Sequence, residues 1–359
     1  MKLTELKLRN FTVFEEADFS FAPGINVFIG ENGTGKSHVL KALYAVLKGV
    51  RVPQADKSEA ERWQRERFAE IFKTDSGTPA AVKSLVRVGE GAEAASLMVA
   101  AEPQSETRLK IASDGELVLD SQNWTGRLDP IFLPARDVLA MYEGFAPIYD
   151  RHRISFDEIY RDACVALGLP DLRVADKQFA DLLAELEHSM LRGTVTLAND
   201  RFYVDFGAGK HEAHLVAEGL RKIATLVQLI RNGSIQPGSV LLWDEPEANL
   251  NPRLIAKIVP VLHGLAAKGV QIFIATHDYL LSHKLSLIAE HHLDPEITMR
   301  FFALHRQNIL DPVEVEAAPT LADISSNSIL DEYAHHYEEE RSLYQPEPEE
   351  DEQNEQGEP

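Results

Sequence analysis

The chain has 359 residues, 44% of them hydrophobic and 26% charged, which suits one elaborated domain with a packed core and excludes wholesale disorder. A lone cysteine, Cys164, excludes an intramolecular disulfide, and no run of about 18 apolar residues offers a membrane span, so a cytoplasmic protein with no membrane role is expected. The net charge of −21 excludes adhesion to nucleic acid by bulk electrostatics; any such contact would need a local basic patch.

Leu3, Leu6 and Leu8, then Phe11, Val13 and Phe14, alternate with polar neighbours and predict the two strands of a hairpin, after which Pro23-Gly24 turns the chain. Ile25–Ile29 is a further strand. It stops at Gly30, where a glycine-rich loop leads into the helical spacing of Val39, Leu40, Leu43, Val46 and Leu47. Residues 51–75 are charged with helical spacing, residues 83–119 read as short strands, and residues 155–190 carry two helices; the stretch 51–189 is expected as an inserted α+β segment with a helical lobe. Within it, Ile131–Pro134 has the look of a short core strand. A hairpin at 195–206 and a helix over 216–230 come next. Strand 240–243, helix 253–265, strand 270–275 and helix 279–287 then alternate as a parallel sheet flanked by helices requires. Residues 1–50 and 190–345 are thus expected to form an α/β core. Residues 338–359 hold ten acidic residues, and from Pro346 to Pro359 no large apolar side chain occurs, so 346–359 is expected to be a disordered acidic tail.

Two motifs carry chemistry. Gly30-Glu31-Asn32-Gly33-Thr34-Gly35-Lys36-Ser37 matches G-x-x-x-x-G-K-[ST] in full, between a strand and a helix. The glycines let successive amides curl toward phosphate oxygens. Lys36 would bridge the outer phosphates and Ser37 would help hold Mg²⁺, with His38 the next residue of the loop-to-helix junction and of the candidate nucleotide site. In the second motif, an apolar strand ends at Asp244-Glu245-Pro246, placing two carboxylates where open α/β sheets put ligands. Successive strand side chains point to opposite faces, so the chain must turn between the two acids. Asp244 suits Mg²⁺, and Glu245 suits polarising the water that attacks the terminal phosphate.

The strand, Gly30–Ser37, the long insertion, Val216–Arg221, Leu241–Glu245, Asn249–Asn251 and His277 together resemble the ABC-like ATPases grouped with RecF, SMC and the overcoming-lysogenization-defect proteins. The resemblance implies an ABC-type P-loop fold with an antiparallel β lobe and a mostly parallel core sheet. It implies ATP and Mg²⁺ as ligands, and ATP hydrolysis by two copies, or a higher assembly, closed around nucleotide. His277 takes the place of the γ-phosphate-sensing histidine. Gly219 takes that of the signature segment that completes the partner's site, with Ala217 where the family carries a hydroxyl. Asn251 would face the partner protomer, and Arg136 would contact either nucleotide, the insertion or an ordinary salt-bridge partner. Stand-alone members of the group suggest a switch that holds or releases a separate effector, such as a nuclease or toxin, in bacterial anti-phage defence. The alternative is a RecF-like DNA-repair clamp.

Overall fold

Strand pairing in the computed structural model, which describes residues 1–50, 56–74, 80–89, 94–152, 154–173 and 177–344, divides the β-structure into three sheets. The strands are β1 (Lys2–Phe11), β2 (Phe14–Ser20), β3 (Ile25–Gly30), β4 (Ala94–Glu102), β5 (Ser105–Ala112), β6 (Leu117–Asn123), β7 (Pro130–Leu133), β8 (Thr194–Ala198), β9 (Arg201–Asp205), β10 (Lys210–Glu212), β11 (Val240–Asp244), β12 (Gln271–Thr276), β13 (Met299–His305) and β14 (Glu314–Ala318). The α-helices are α1 (Lys36–Gly49), α2 (Lys57–Phe72), α3 (Phe145–Arg151), α4 (Glu158–Leu167), α5 (Ala180–Ala184), α6 (Glu218–Arg231), α7 (Pro252–Ala267), α8 (Tyr279–Glu290) and α9 (Ser328–Leu343).

The core sheet has the order β14-β13-β3-β12-β11-β7, parallel except for β14. Its central strands are buried on both faces, which is why they read as continuous apolar runs rather than alternating ones. Alternate residues still choose sides. Val27, Ile29, Leu241, Trp243, Ile272 and Ile274 pack into one core with α6, α7 and α8, while Phe28, Leu242, Phe273 and Phe302 enter a second core with α1 and the N-terminal lobe. In the second core Phe28 stacks on Phe302 with ring centroids 5.0 Å apart.

The N-terminal lobe is an antiparallel sheet of order β2-β1-β4-β5-β6. The hairpin expected from Leu3 to Phe14 is present, and its β1 also pairs along its length with β4. Residues 94–123 therefore complete the sheet that residues 2–20 begin, although they fall in the stretch expected as an insertion. β7 likewise lies in that stretch and forms the edge of the core sheet. The reason is hydrophobic: β1 buries Leu3, Leu6 and Leu8 and needs a second partner to seal them, and Leu97 and Val99 of β4 supply it. Gln271, fully buried at the start of β12, locks the lobe to the core: its Oε1 accepts from Leu3 N at 2.8 Å and its Nε2 donates to Leu3 O and Ala22 O at 2.8 and 2.9 Å.

The chain beyond α8 holds elements that the sequence left unread. β13 inserts beside β3, β14 closes that edge, and α9 buries none of its residues. The expected acidic tail, 346–359, lies outside the described residues. Among the described residues no helix is long and apolar enough to cross a membrane.

Candidate functional site

The loop between β3 and α1 needs a backbone that L side chains resist. Gly30 and Gly35 have φ of 143° and 91°. A Cβ at Gly30 would lie 2.1 Å from Leu304 O, and one at Gly35 would lie 2.6 Å from Val13 Cγ2. The first helical bond of α1 is Val39 N to Gly35 O at 3.0 Å, so the amides of Lys36, Ser37 and His38 have no partner within the helix and point out of its N-terminus. No acidic residue occupies that first turn. Lys36 folds back over the loop and donates to Gly30 O and Glu31 O at 2.6 and 2.8 Å, while Thr34 Oγ1 donates to Glu31 O at 2.8 Å. Burial pulls the Lys36 pKa below its ordinary value, against the raising effect of Asp244, Glu245, Glu247 and Glu31. Glu31 and Asn32 are exposed at the loop tip. The His38 ring packs on Phe72 of α2, centroids 5.7 Å apart.

β11 delivers its carboxylates to the same end of the sheet. Ser37 Oγ donates to Asp244 Oδ1 at 3.0 Å, joining positions 207 residues apart. Burial, and then the neighbouring Glu245, push the Asp244 carboxyl above its usual pKa against that hydrogen bond and the nearby Lys41 and Lys36. The turn between the two acids is made at Glu245 itself, with φ of 47°. Three hydrogen bonds hold it there: Glu245 N donates to Ala275 O at 2.8 Å, and Glu245 O accepts from Ala248 N at 3.1 Å and from Lys222 Nζ at 3.0 Å. His277, at the end of β12, sets Nδ1 3.4 Å from Glu245 Oε1 and 3.7 Å from Glu247 Oε1. Glu247 is buried, and that burial raises its pKa; its Oε1 accepts from Thr276 Oγ1 at 2.6 Å and from His277 N at 3.3 Å, while Oε2 has no partner among the described residues. Asp278 then caps α8, accepting from Leu281 N at 2.6 Å.

Lys36, Ser37, Asp244, Glu245 and His277, read separately along the chain, thus meet at one end of the core sheet. A hydroxyl and a carboxylate oxygen 3.0 Å apart are the donors a hard divalent cation takes, so Ser37 and Asp244 fit Mg²⁺. The other three expected residues make different contacts. Gly219 is buried under its own chain: a Cβ there would lie 3.0 Å from Asn249 O, and Asn249 Nδ2 donates to Glu218 at 2.9 Å. His214, Leu215 and Ala217, just before α6, are exposed. Asn251 uses its side chain inside its own chain, capping α7 by accepting from Leu254 N at 3.0 Å. Arg136 is exposed beside Asp137, which in turn accepts from Arg221 Nε at 2.7 Å and ties this loop to α6. Lys222 and Glu247 were not singled out from the sequence. Glu247 stands two residues beyond Glu245 and could have been noticed there, whereas one lysine on a helix gives no signal.

Comparisons with known proteins follow the same lines. Residues 1–80 match a domain family described as "AAA ATPase domain", and residues 126–282 match one described as "AAA domain, putative AbiEii toxin, Type IV TA system". The DNA replication and repair protein RecF of Edwardsiella ictaluri is 49% identical over 49 residues, 14% of either chain. RecF of Desulforamulus reducens is 29% identical over 110 residues, 30% of this chain and 29% of that protein. The chain therefore matches less than a third of the length of these curated relatives. Among solved structures, an Smc head bound to the C-winged helix domain of ScpA superposes with a TM-score of 0.56 at 13% identity, covering 89% of this chain and 98% of that one. An Smc head domain with an extended coiled coil, bound to the C-terminal domain of ScpA derived from Pyrococcus furiosus, gives 0.54 at 11% identity, covering 95% and 99%. At these identities the likeness concerns the fold, which is α/β with mixed sheets and flanking helices.

Proposed function

We propose, from the match of residues 1–80 and 126–282 to AAA-family ATPase domains, that the chain is an ATP-hydrolysing switch in which two copies close around nucleotide and thereby control a separate effector protein. The observation that supports this reading is the hydrogen bond of Ser37 to Asp244, which joins the glycine-rich loop to the carboxylate-bearing end of β11. The amides of residues 36–38 and the Lys36 ammonium receive the phosphates. Ser37 and Asp244 would hold Mg²⁺, whose charge would offset that of the outer phosphates. Glu245 accepts the proton of the attacking water, held at the correct angle by the bonds to Ala275 and Lys222. His277 turns from Glu245 to donate to the terminal phosphate, so its contact would report whether that phosphate is present.

The α6 end, with Ala217 and Leu215 exposed, is the surface we assign to the second copy. We place the switch in bacterial anti-phage defence, with a nuclease or toxin as the effector; the matched family's description names a putative toxin of a Type IV TA system. A second reading, a RecF-like DNA-repair clamp, is favoured by the relatives that match part of the chain, while the net charge of −21 weighs against it. ATP-dependent DNA binding with a steep salt slope would favour the clamp, and co-purification with a neighbouring gene's product would favour the switch. The chemistry is tested by Glu245→Gln: hydrolysis should fall about 10²–10⁴-fold while ATP stays bound. Wild-type turnover in that variant removes Glu245 from the mechanism.

A further inference from the structure

The carboxylates at the site outnumber the cations free to oppose them. Asp244, Glu245, Glu247 and Glu31 all act on Lys36, Lys41 is engaged with Asp157 at 2.7 Å, and Lys222 is buried beneath Glu245. A triphosphate adds several further negative charges to this group, and one lysine with a divalent ion leaves the balance negative.

β13 brings the missing charge. It runs parallel to β3 with Leu304 opposite Gly30, so the chain two residues later is level with the phosphate loop. The residue there is Arg306. Its Nη2 lies 2.9 Å from where a Cβ at Gly33 would stand, so the guanidinium rests against the loop's main chain, and Gly33, at φ of 83°, leaves the room for it. Nη1 is fixed by donating to Ile309 O at 2.7 Å. The nearest acid of its own loop, Asp311, is taken by Asn308, whose N and Nδ2 donate to it at 2.9 and 2.7 Å, and His305 is turned toward Glu314. Among the described residues Arg306 makes no ion pair.

The geometry points to Arg306 as a nucleotide-binding residue that contacts the polyphosphate of a nucleotide in the loop, an inference that rests on the ATP-binding reading of the same site. A guanidinium is the side chain suited to this, since its planar fork holds two phosphate oxygens at once and it stays charged. The strand that carries it is the one the sequence left unread, so the contact depends on β13 lying beside β3.

The test is calorimetric titration of the full chain with MgATP, MgADP and MgGTP. In Arg306→Met, affinity for ATP and for ADP should each fall about 10- to 100-fold, the usual size of a lost charge-assisted hydrogen bond, with the ATP-over-GTP ratio as in the parent. Arg306→Lys, which keeps the charge, should recover much of that loss. Affinities within twofold of the parent overturn the inference. A loss accompanied by a changed ATP-over-GTP ratio also overturns it, because Arg306 would then be reading the base. Lys36→Ala separates the two layers: lost binding there beside normal binding in Arg306→Met sinks this contact alone, whereas normal binding in Lys36→Ala sinks the phosphate-loop reading beneath it.

Discussion

Glu245 occupies the left-handed region, a conformation costly for a residue with a side chain, and the structure holds it there from two directions. One of these is Lys222, buried among Glu247, Glu218, Glu245 and Asp137, where burial lowers its pKa against their attraction. Lys222→Met should therefore leave the Glu245 carbonyl with the Ala248 amide alone, loosen the turn and lower kcat about 10- to 100-fold with the KM for ATP little changed, because a displaced carboxylate harms the chemical step and not the grip on phosphate. Steady-state kinetics on the variant measure that split. His38 gives a residue-scale prediction of another kind. Burial against Phe72, with Lys41 nearby, pushes its pKa down to about 4, so the folded protein refuses a proton that the unfolded chain takes up near pH 6.5. Stability should then fall as pH drops from about 6.5 to about 4, by roughly 2–3 kcal/mol from this group. Urea melts across that window should show a shallower slope in His38→Leu than in the parent.

Among the elements, β3 is where most constraints meet. It pairs with β12 and β13, sends alternate side chains into two cores and ends in the phosphate loop. Its all-apolar pattern, its glycine stop and the helical spacing of α1 were plain in the amino-acid order, as were β11, β12 and the helices after them. Other elements were hidden because their meaning is a pairing. Nothing local says that β4 lies against β1, or that β13 enters between β3 and β14, since strand order is decided by which buried faces seal one another. Gln271 shows the cost of the lobe's placement. Replacing it with Leu strands the main-chain N–H and C=O of Leu3 in the interior, and should lower stability by about 2–4 kcal/mol, read as a lower urea midpoint at an unchanged slope.

Charge governs the molecule as a whole. Two copies of a chain carrying −21 repel each other, so any closure must be paid for by the contacts that nucleotide adds. Mass measurement in solution should find the chain single without nucleotide and doubled with MgATP in Glu245→Gln, with the doubled form favoured by moderate salt, which screens the repulsion. A doubled mass that ignores nucleotide would replace the switch with a standing assembly. The amino-acid order alone determined the phosphate loop, the carboxylate-bearing strand and the alternation of strands and helices, because each is written in the covalent geometry of a few consecutive residues. Only the tertiary structure decided that Ser37 touches Asp244, that Lys222 and Ala275 brace the turn at Glu245, that Gly219 lies under its own chain and that Arg306 reaches Gly33. Those contacts join residues far apart in the chain, and they exist only where packing on the two faces of one sheet brings their strands and helices to the same end.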